Sequence, residues 1–178
     1  MDLQILAAKP EDYAVVRNLV SYYIHDFSEY MGWDCPESGL FGGCDELPQY
    51  WGKAPDDPQF RWPADWVGYP FILQVDGKLA GFALLRKLGD AAPPTYEVGE
   101  FFVLRKFRRQ GVGGAVARQL FDRFRGEWVV KQMYENDAAR AFWRKVVADY
   151  TGGGYEEFLE YDARYSLRMA GQRFSNGE

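Results

Sequence analysis

The segment Arg108-Arg109-Gln110-Gly111-Val112-Gly113-Gly114 has the residue types and spacing with the most specific chemistry. Glycines where a strand passes into a helix let the backbone turn tightly and leave main-chain N–H groups uncovered. Those N–H groups and the helix dipole together make an anion site. Arg108 and Arg109 add positive charge. The ligand suited to such a place is a pyrophosphate. A dinucleotide fingerprint would need glycines at 111, 113 and 116, but position 116 is Val. A P-loop would need Gly-Lys-Ser/Thr, which is absent. Two carboxylates, Glu97 and Glu100, precede the loop on its strand and are candidate proton acceptors. Residues three apart on a regular strand face opposite sides, so only one reaches a common cleft unless a bulge intervenes. His25 is the chain's one histidine. A His-rich zinc site cannot be built, no metal site is expected, and any Ser-His-Asp or Cys-His mechanism would have to pass through His25.

The pattern Arg-x-x-Gly-x-Gly over 108–113 is flanked by two further signals. Phe102-Val103-Leu104-Arg105-Lys106-Phe107 looks like a strand-and-turn lead-in, and Asn136-Asp137-Ala138-Ala139-Arg140-Ala141-Phe142-Trp143 resembles the motif Asn-x-x-Ala-x-x-Phe-Tyr. Over residues 95–147 the chain resembles the GNAT superfamily of N-acetyltransferases. The resemblance implies an α/β (α+β) fold in a single domain spanning 1–178. Its sheet would be mixed and mostly antiparallel, with about six to seven strands, a splayed parallel pair and helices on both faces. The parted strands would be 95–104 and 127–134.

The resemblance also implies acetyl-CoA as co-substrate and direct attack of an amine on its thioester, without a histidine or a covalent enzyme intermediate. Backbone N–H groups from Gln110 to Gly114, with Arg108 and Arg109 beside them, would hold the pyrophosphate through Gly111, Val112 and Gly113. Val103 and Leu104 would hydrogen-bond the pantetheine arm, and Asn136, with Ala139 and Trp143 of its motif, would line the same arm. Glu100 is the first candidate for general base and Glu97 the second. Trp143 stands where the family often has a tyrosine acid, so Tyr134, Tyr150 or water would have to serve the leaving thiolate. That departure supports a second reading, a coenzyme A-binding sensor or partner-binding module without turnover. Asp26, Glu29 and Tyr30 fall where the family shapes its acceptor pocket, for a small-molecule or peptide amine.

These residues need elements to position them. Leu3–Leu6 alternates as a short strand. Val16, Leu19, Val20, Tyr23, Ile24 and Phe27 follow helical spacing after Pro10. Gly32–Pro70 reads as a long irregular stretch carrying Trp33, Trp51, Trp62 and Trp66. Asp76-Gly77 between two β-rich runs, 71–75 and 78–85, predicts a hairpin with a type I′ turn. A strand over 95–104, a helix over 111–125, a strand over 127–134 and a helix over 136–147 follow. Two closing strands are expected at 155–159 and 165–169.

Composition bounds the partners. The 178 residues carry 21 Lys and Arg against 26 Asp and Glu, a net charge of −5. That balance weighs against nucleic acid, which needs a basic face. No apolar run approaches the ~18 residues of a membrane helix, and the N-terminus shows no secretory pattern, so no membrane partner is expected. Two cysteines are too few for a disulfide framework and fit a reducing, cytoplasmic location. A homodimer is compatible with everything above.

Overall fold

The computed structural model describes residues 1–52, 66–163 and 165–177, so Trp62 lies outside the described residues. Seven strands and three helices occur among them: β1 (Leu3–Ala7), α1 (Tyr13–Met31), β2 (Trp66–Val75), β3 (Lys78–Leu88), β4 (Thr95–Val103), α2 (Val112–Arg123), β5 (Glu127–Met133), α3 (Asp137–Thr151), β6 (Glu156–Asp162) and β7 (Leu167–Ser175). The strands form one mixed sheet in the order β1-β2-β3-β4-β5-β7-β6. β1 pairs with β2, β5 with β7 and β6 with β7 antiparallel, while β4 and β5 are parallel. The α/β class and the parallel β4–β5 pair agree with the sequence reading.

Contacts divide the chain into two compact units, Met1–Arg86 with Glu100–Phe107, and Lys87–Gly99 with Arg108–Glu178. In the first, α1 turns Val16, Leu19 and Val20 onto Ile72, Phe82, Leu84 and Phe102. These α1 positions recur at three- and four-residue steps, which place them on one helix face. Gly32 ends α1 in the left-handed conformation, at φ 65°. The hairpin turn is as expected, with Asp76 at φ 50° and Gly77 at φ 70°, the signs a type I′ turn demands.

The second unit is built on aromatic packing. Phe121 of α2 lies edge-on to Trp128 of β5 and Phe174 of β7, with centroids 4.8 and 4.9 Å away. Asn176 closes this unit. Its side chain accepts from Gly126 N–H at 2.9 Å and donates to the Phe121 carbonyl at 2.6 Å and the Tyr150 hydroxyl at 3.2 Å.

The ends of several elements differ from the periodicity. β2 begins at Trp66, inside the stretch read as irregular, and α3 runs to Thr151, where Gly152 at φ 63° stops it. β7 extends to Ser175, well past the expected 169, because it is paired on both sides, with β5 and with β6. Gly171-Gln172-Arg173 lacks the β-branched signal of a strand, yet Gly171 leaves the space that the Phe158 ring fills.

The close approach of β3 to the end of β4 depends on one residue. A Cβ on Gly81 would collide with the Phe102 carbonyl, which is backbone and cannot turn aside. One residue earlier, the Ala80 carbonyl accepts the Leu104 N–H at 2.8 Å. Gly81→Ala is therefore expected to destabilise the fold by about 1–3 kcal/mol, the usual cost of overpacking, read as a lower urea midpoint.

Candidate active site

The segment singled out by its glycines does open a helix. Arg109 sits at φ 61° and Gly111 at φ 81°, so the chain turns twice through the left-handed region before α2 starts at Val112. For arginine that conformation costs roughly 1–2 kcal/mol, whereas Gly111 adopts it readily. The first intrahelical bond of this turn runs from Ala115 N–H to the Gly111 carbonyl at 3.0 Å. The N–H groups of Val112, Gly113 and Gly114 precede it, and Gly111 offers no side-chain cap. Arg108, Arg109 and Gln110 are exposed, while Val112 is buried and anchors the turn. Uncapped helical N–H groups flanked by two guanidinium-bearing residues are suited to a phosphate or pyrophosphate.

The second motif has a structural duty of its own. Asn136 is the N-cap of α3, its Oδ1 accepting the Ala139 N–H at 2.9 Å. The bond uses only the carbonyl end of the carboxamide. Trp143 is buried, at 6% exposure, and meets Phe142 edge-on. Tyr134 is half-buried, with the Arg140 and Arg168 guanidinium carbons each 4.4 Å from its ring centroid. Tyr150 donates to Asp122 at 3.0 Å and belongs to the aromatic core around Phe121; burial and the Asp122 carboxylate push its phenol up. Among the residues expected to meet a pantetheine arm, Val103 is buried and Leu104 half-buried. The Leu104 N–H is committed to Ala80, and its carbonyl accepts the Phe107 N–H at 2.8 Å.

The two candidate carboxylates have different partners. Glu97 is buried and 2.8 Å from Lys131 Nζ, which also lies 3.1 Å from Glu160. Burial alone would lower the Lys131 ammonium's pKa, but Glu97, aided by Glu160, carries it above the ordinary lysine value. Glu100 accepts a hydrogen bond from the Tyr23 hydroxyl at 2.6 Å and lies 3.9 Å from Arg86. Arg86 in turn donates to Glu46 at 2.9 Å and to the Tyr50 hydroxyl at 2.7 Å. Burial and then the Glu100 charge hold the Tyr23 phenol well above its ordinary value, so Tyr23 is a fixed donor.

Cys44, Glu46 and Glu100 bring a sulfur and two carboxylate oxygens within 4.8 Å of one another. Burial and the Glu100 charge push the Cys44 thiol far up, and its Sγ donates to Glu46 at 3.7 Å. Arg86 supplies positive charge here, 2.9 Å from Glu46 and 3.9 Å from Glu100. These contacts join the cluster into an ion-pair and hydrogen-bond network. Tyr23, Cys44, Glu46, Tyr50 and Arg86 had no signal in the sequence, because they come from a helix, a loop, a short 3-10 turn and a strand with no shared spacing.

Two cavities lie in the same unit. One of about 520 Å³ is lined by Tyr22, His25, Asp26, Phe102 and Leu104 among others, and one of about 850 Å³ by Ser21, His25, Phe41 and Cys44 among others. Asp26 borders the first but is paired to Arg105 at 2.7 Å. Glu29 is exposed and Tyr30 half-buried, and neither lines these cavities. His25 is exposed and edge-on to Phe41.

A family model described as the acetyltransferase (GNAT) family matches residues 37–147, more than half of the chain. No curated protein matches the chain in sequence. Among solved structures, the ribosomal-protein-S18-alanine N-acetyltransferase of Escherichia coli is similar at 12% identity and TM-score 0.57, over 99% of this chain and 96% of that one. An aminoglycoside acetyltransferase solved with coenzyme A gives 13% and 0.65, over 98% and 95%. An acetyltransferase of Bacillus subtilis, also with coenzyme A, gives 10% and 0.56, over 98% and 99%. At such identities the likeness is one of fold, and it is the family match that supports the assignment: the chain belongs to the GNAT acetyltransferase family.

Proposed function

We propose that this chain is an N-acetyltransferase that moves an acetyl group from acetyl-CoA to a primary amine, working as one acyltransferase domain in a reducing, cytoplasmic setting. The observation that carries the reading is the start of α2, where Val112, Gly113 and Gly114 present N–H groups without a side-chain cap. That donor set fits the pyrophosphate of coenzyme A. Acetyl-CoA supplies the acetyl group as a thioester open to direct attack by an amine. Arg108 and Arg109 offset the pyrophosphate charge, and Val103 and Asn136 are assigned to the pantetheine arm.

An acceptor ammonium with a pKa near ~10.4 is mostly protonated at neutral pH and must lose a proton before it can attack. We assign that proton to Glu100. Tyr23 holds the Glu100 carboxylate at 2.6 Å, so the base is already oriented. Glu97 is the weaker candidate, because its carboxylate is already tied to Lys131 at 2.8 Å. Tyr134 is assigned to the departing thiolate, since Trp143 has no acidic hydroxyl. Relatives of the fold are named for an alanine of a ribosomal protein and for aminoglycosides, which supports an amine acceptor of either small-molecule or peptide class.

The deciding experiment follows thiol release from acetyl-CoA across a panel of amines. Turnover with at least one amine is expected, and coenzyme A binding without release for every amine would favour a sensor instead. Gly113→Val is expected to raise the KM for acetyl-CoA about tenfold, roughly 1.4 kcal/mol of binding, with little change in Tm. Glu100→Gln should lower kcat most at the acid end of the pH range, where more of the amine is protonated. Glu97→Gln should act on stability: Lys131 is half-buried and keeps Glu160, so the loss should be about 1.5–3 kcal/mol, the range for a hydrogen bond to a charged group, measured by urea unfolding. The wild-type pair contributes fully below the unfolded lysine pKa of ~10.4 and fades as pH rises through the higher folded value, and the variant, which keeps Glu160, should show a smaller alkaline loss.

A further inference from the structure

Resting on the assignment of Glu100 as proton acceptor, we infer that Arg86, Glu46 and Tyr23 are positioning residues that set the pH at which Glu100 takes a proton, with Glu46 holding the Arg86 guanidinium short of a full ion pair with Glu100. Arg86 Nη2 lies 2.9 Å from Glu46 Oε2 but 3.9 Å from Glu100 Oε1. Charge-assisted hydrogen bonds fall at about 2.7–2.9 Å, so the first contact is a bond and the second is attraction across a gap.

Arg86 is fixed in that compromise. Its Nε donates to Tyr50 Oη at 2.7 Å, and its guanidinium carbon lies 5.2 Å from the Trp66 ring centroid and 5.5 Å from that of Tyr50. The Arg86 and Glu46 side chains are 11% and 6% exposed. Swinging fully onto Glu100 would leave Glu46 buried without its guanidinium. A carboxylate locked to an arginine is a weak base, whereas one with a half-shared cation keeps proton affinity while staying ionised at neutral pH.

The groups facing Glu100 come from each element around it. They are Tyr23 from α1, Arg86 from β3, Cys44 and Glu46 from the loop before the 3-10 turn 47–51, and Tyr50 from that turn. Tyr23, Cys44 and Tyr50 all keep their protons, pushed up first by burial. Glu46 and Arg86 carry charge here, and they act on Glu100 with opposite signs.

The test is a ¹³C-carboxyl titration of Glu100, assigned by its loss in Glu100→Gln, run beside the pH profile of kcat/KM for an amine that supports turnover. Glu46→Gln removes a like charge and releases Arg86, so the titration midpoint should fall by about one pH unit, the low end of what an opposite charge within ~4–6 Å produces. Arg86→Met should raise it by a similar amount, and Tyr23→Phe should also raise it. If Arg86→Met fails to fold, the double variant Glu46→Gln/Arg86→Met, which spares Glu46 the loss of its guanidinium, decides: its midpoint should lie about one unit above that of Glu46→Gln. Midpoints that do not move, or that move in one direction for both charges, overturn the inference. Midpoints that move as expected while the acid limb of kcat/KM stays put overturn the assignment of Glu100 as base, and the positioning role with it.

Discussion

A helix must leave its first N–H groups without partners inside itself, and most proteins spend a side chain on them. α3 does so with Asn136, whose Oδ1 meets Ala139 N–H. α2 does not, because Gly111 at its N-cap has no side chain to give. The difference is a matter of which donors are left for a ligand. Everything around α2 keeps that turn in place: Val112 buried beneath it, Arg109 accepting a left-handed backbone to enter it, and Phe121 nine residues on locked among Trp128, Phe174 and Tyr150.

The second constraint is electrostatic. Carboxylates below solvent need partners, and the two carboxylates of β4 have found partners of different kinds. Glu97 faces a lysine at bonding distance, with a second carboxylate beyond it. Glu100 faces a phenol at bonding distance and a guanidinium held back by another acid. Two residues three apart on one strand thus have unlike environments, and the proposed choice of Glu100 over Glu97 rests on that difference.

What the sequence made legible follows from how local each signal is. The Asp76-Gly77 turn, the α1 stripe and the start of α2 are written in neighbouring residues, and the structure has them. The length of β7 was hidden, because its strand character comes from β5 and β6 on either side and not from Gly171-Gln172-Arg173 itself. The resemblance pointed to Glu100 but to none of its neighbours. Tyr23, Glu46 and Arg86 are 77, 54 and 14 residues away along the chain, and only folding brings them together. Asp26, which the resemblance places where the family shapes its acceptor pocket, is paired with Arg105 at 2.7 Å, a contact 79 residues distant in sequence that no local pattern carries.

Asn176 has a bearing on how the protein is made. Its side chain joins the Gly126 N–H, the carbonyl of Phe121 and the hydroxyl of Tyr150, and β7 just before it completes the ladder with β5. Asn176 follows Phe121, Gly126 and Tyr150 by 55, 50 and 26 residues. The half of the molecule that carries the glycine turn therefore cannot lock until this late segment has been made, and until then β5 has β4 beside it but not β7.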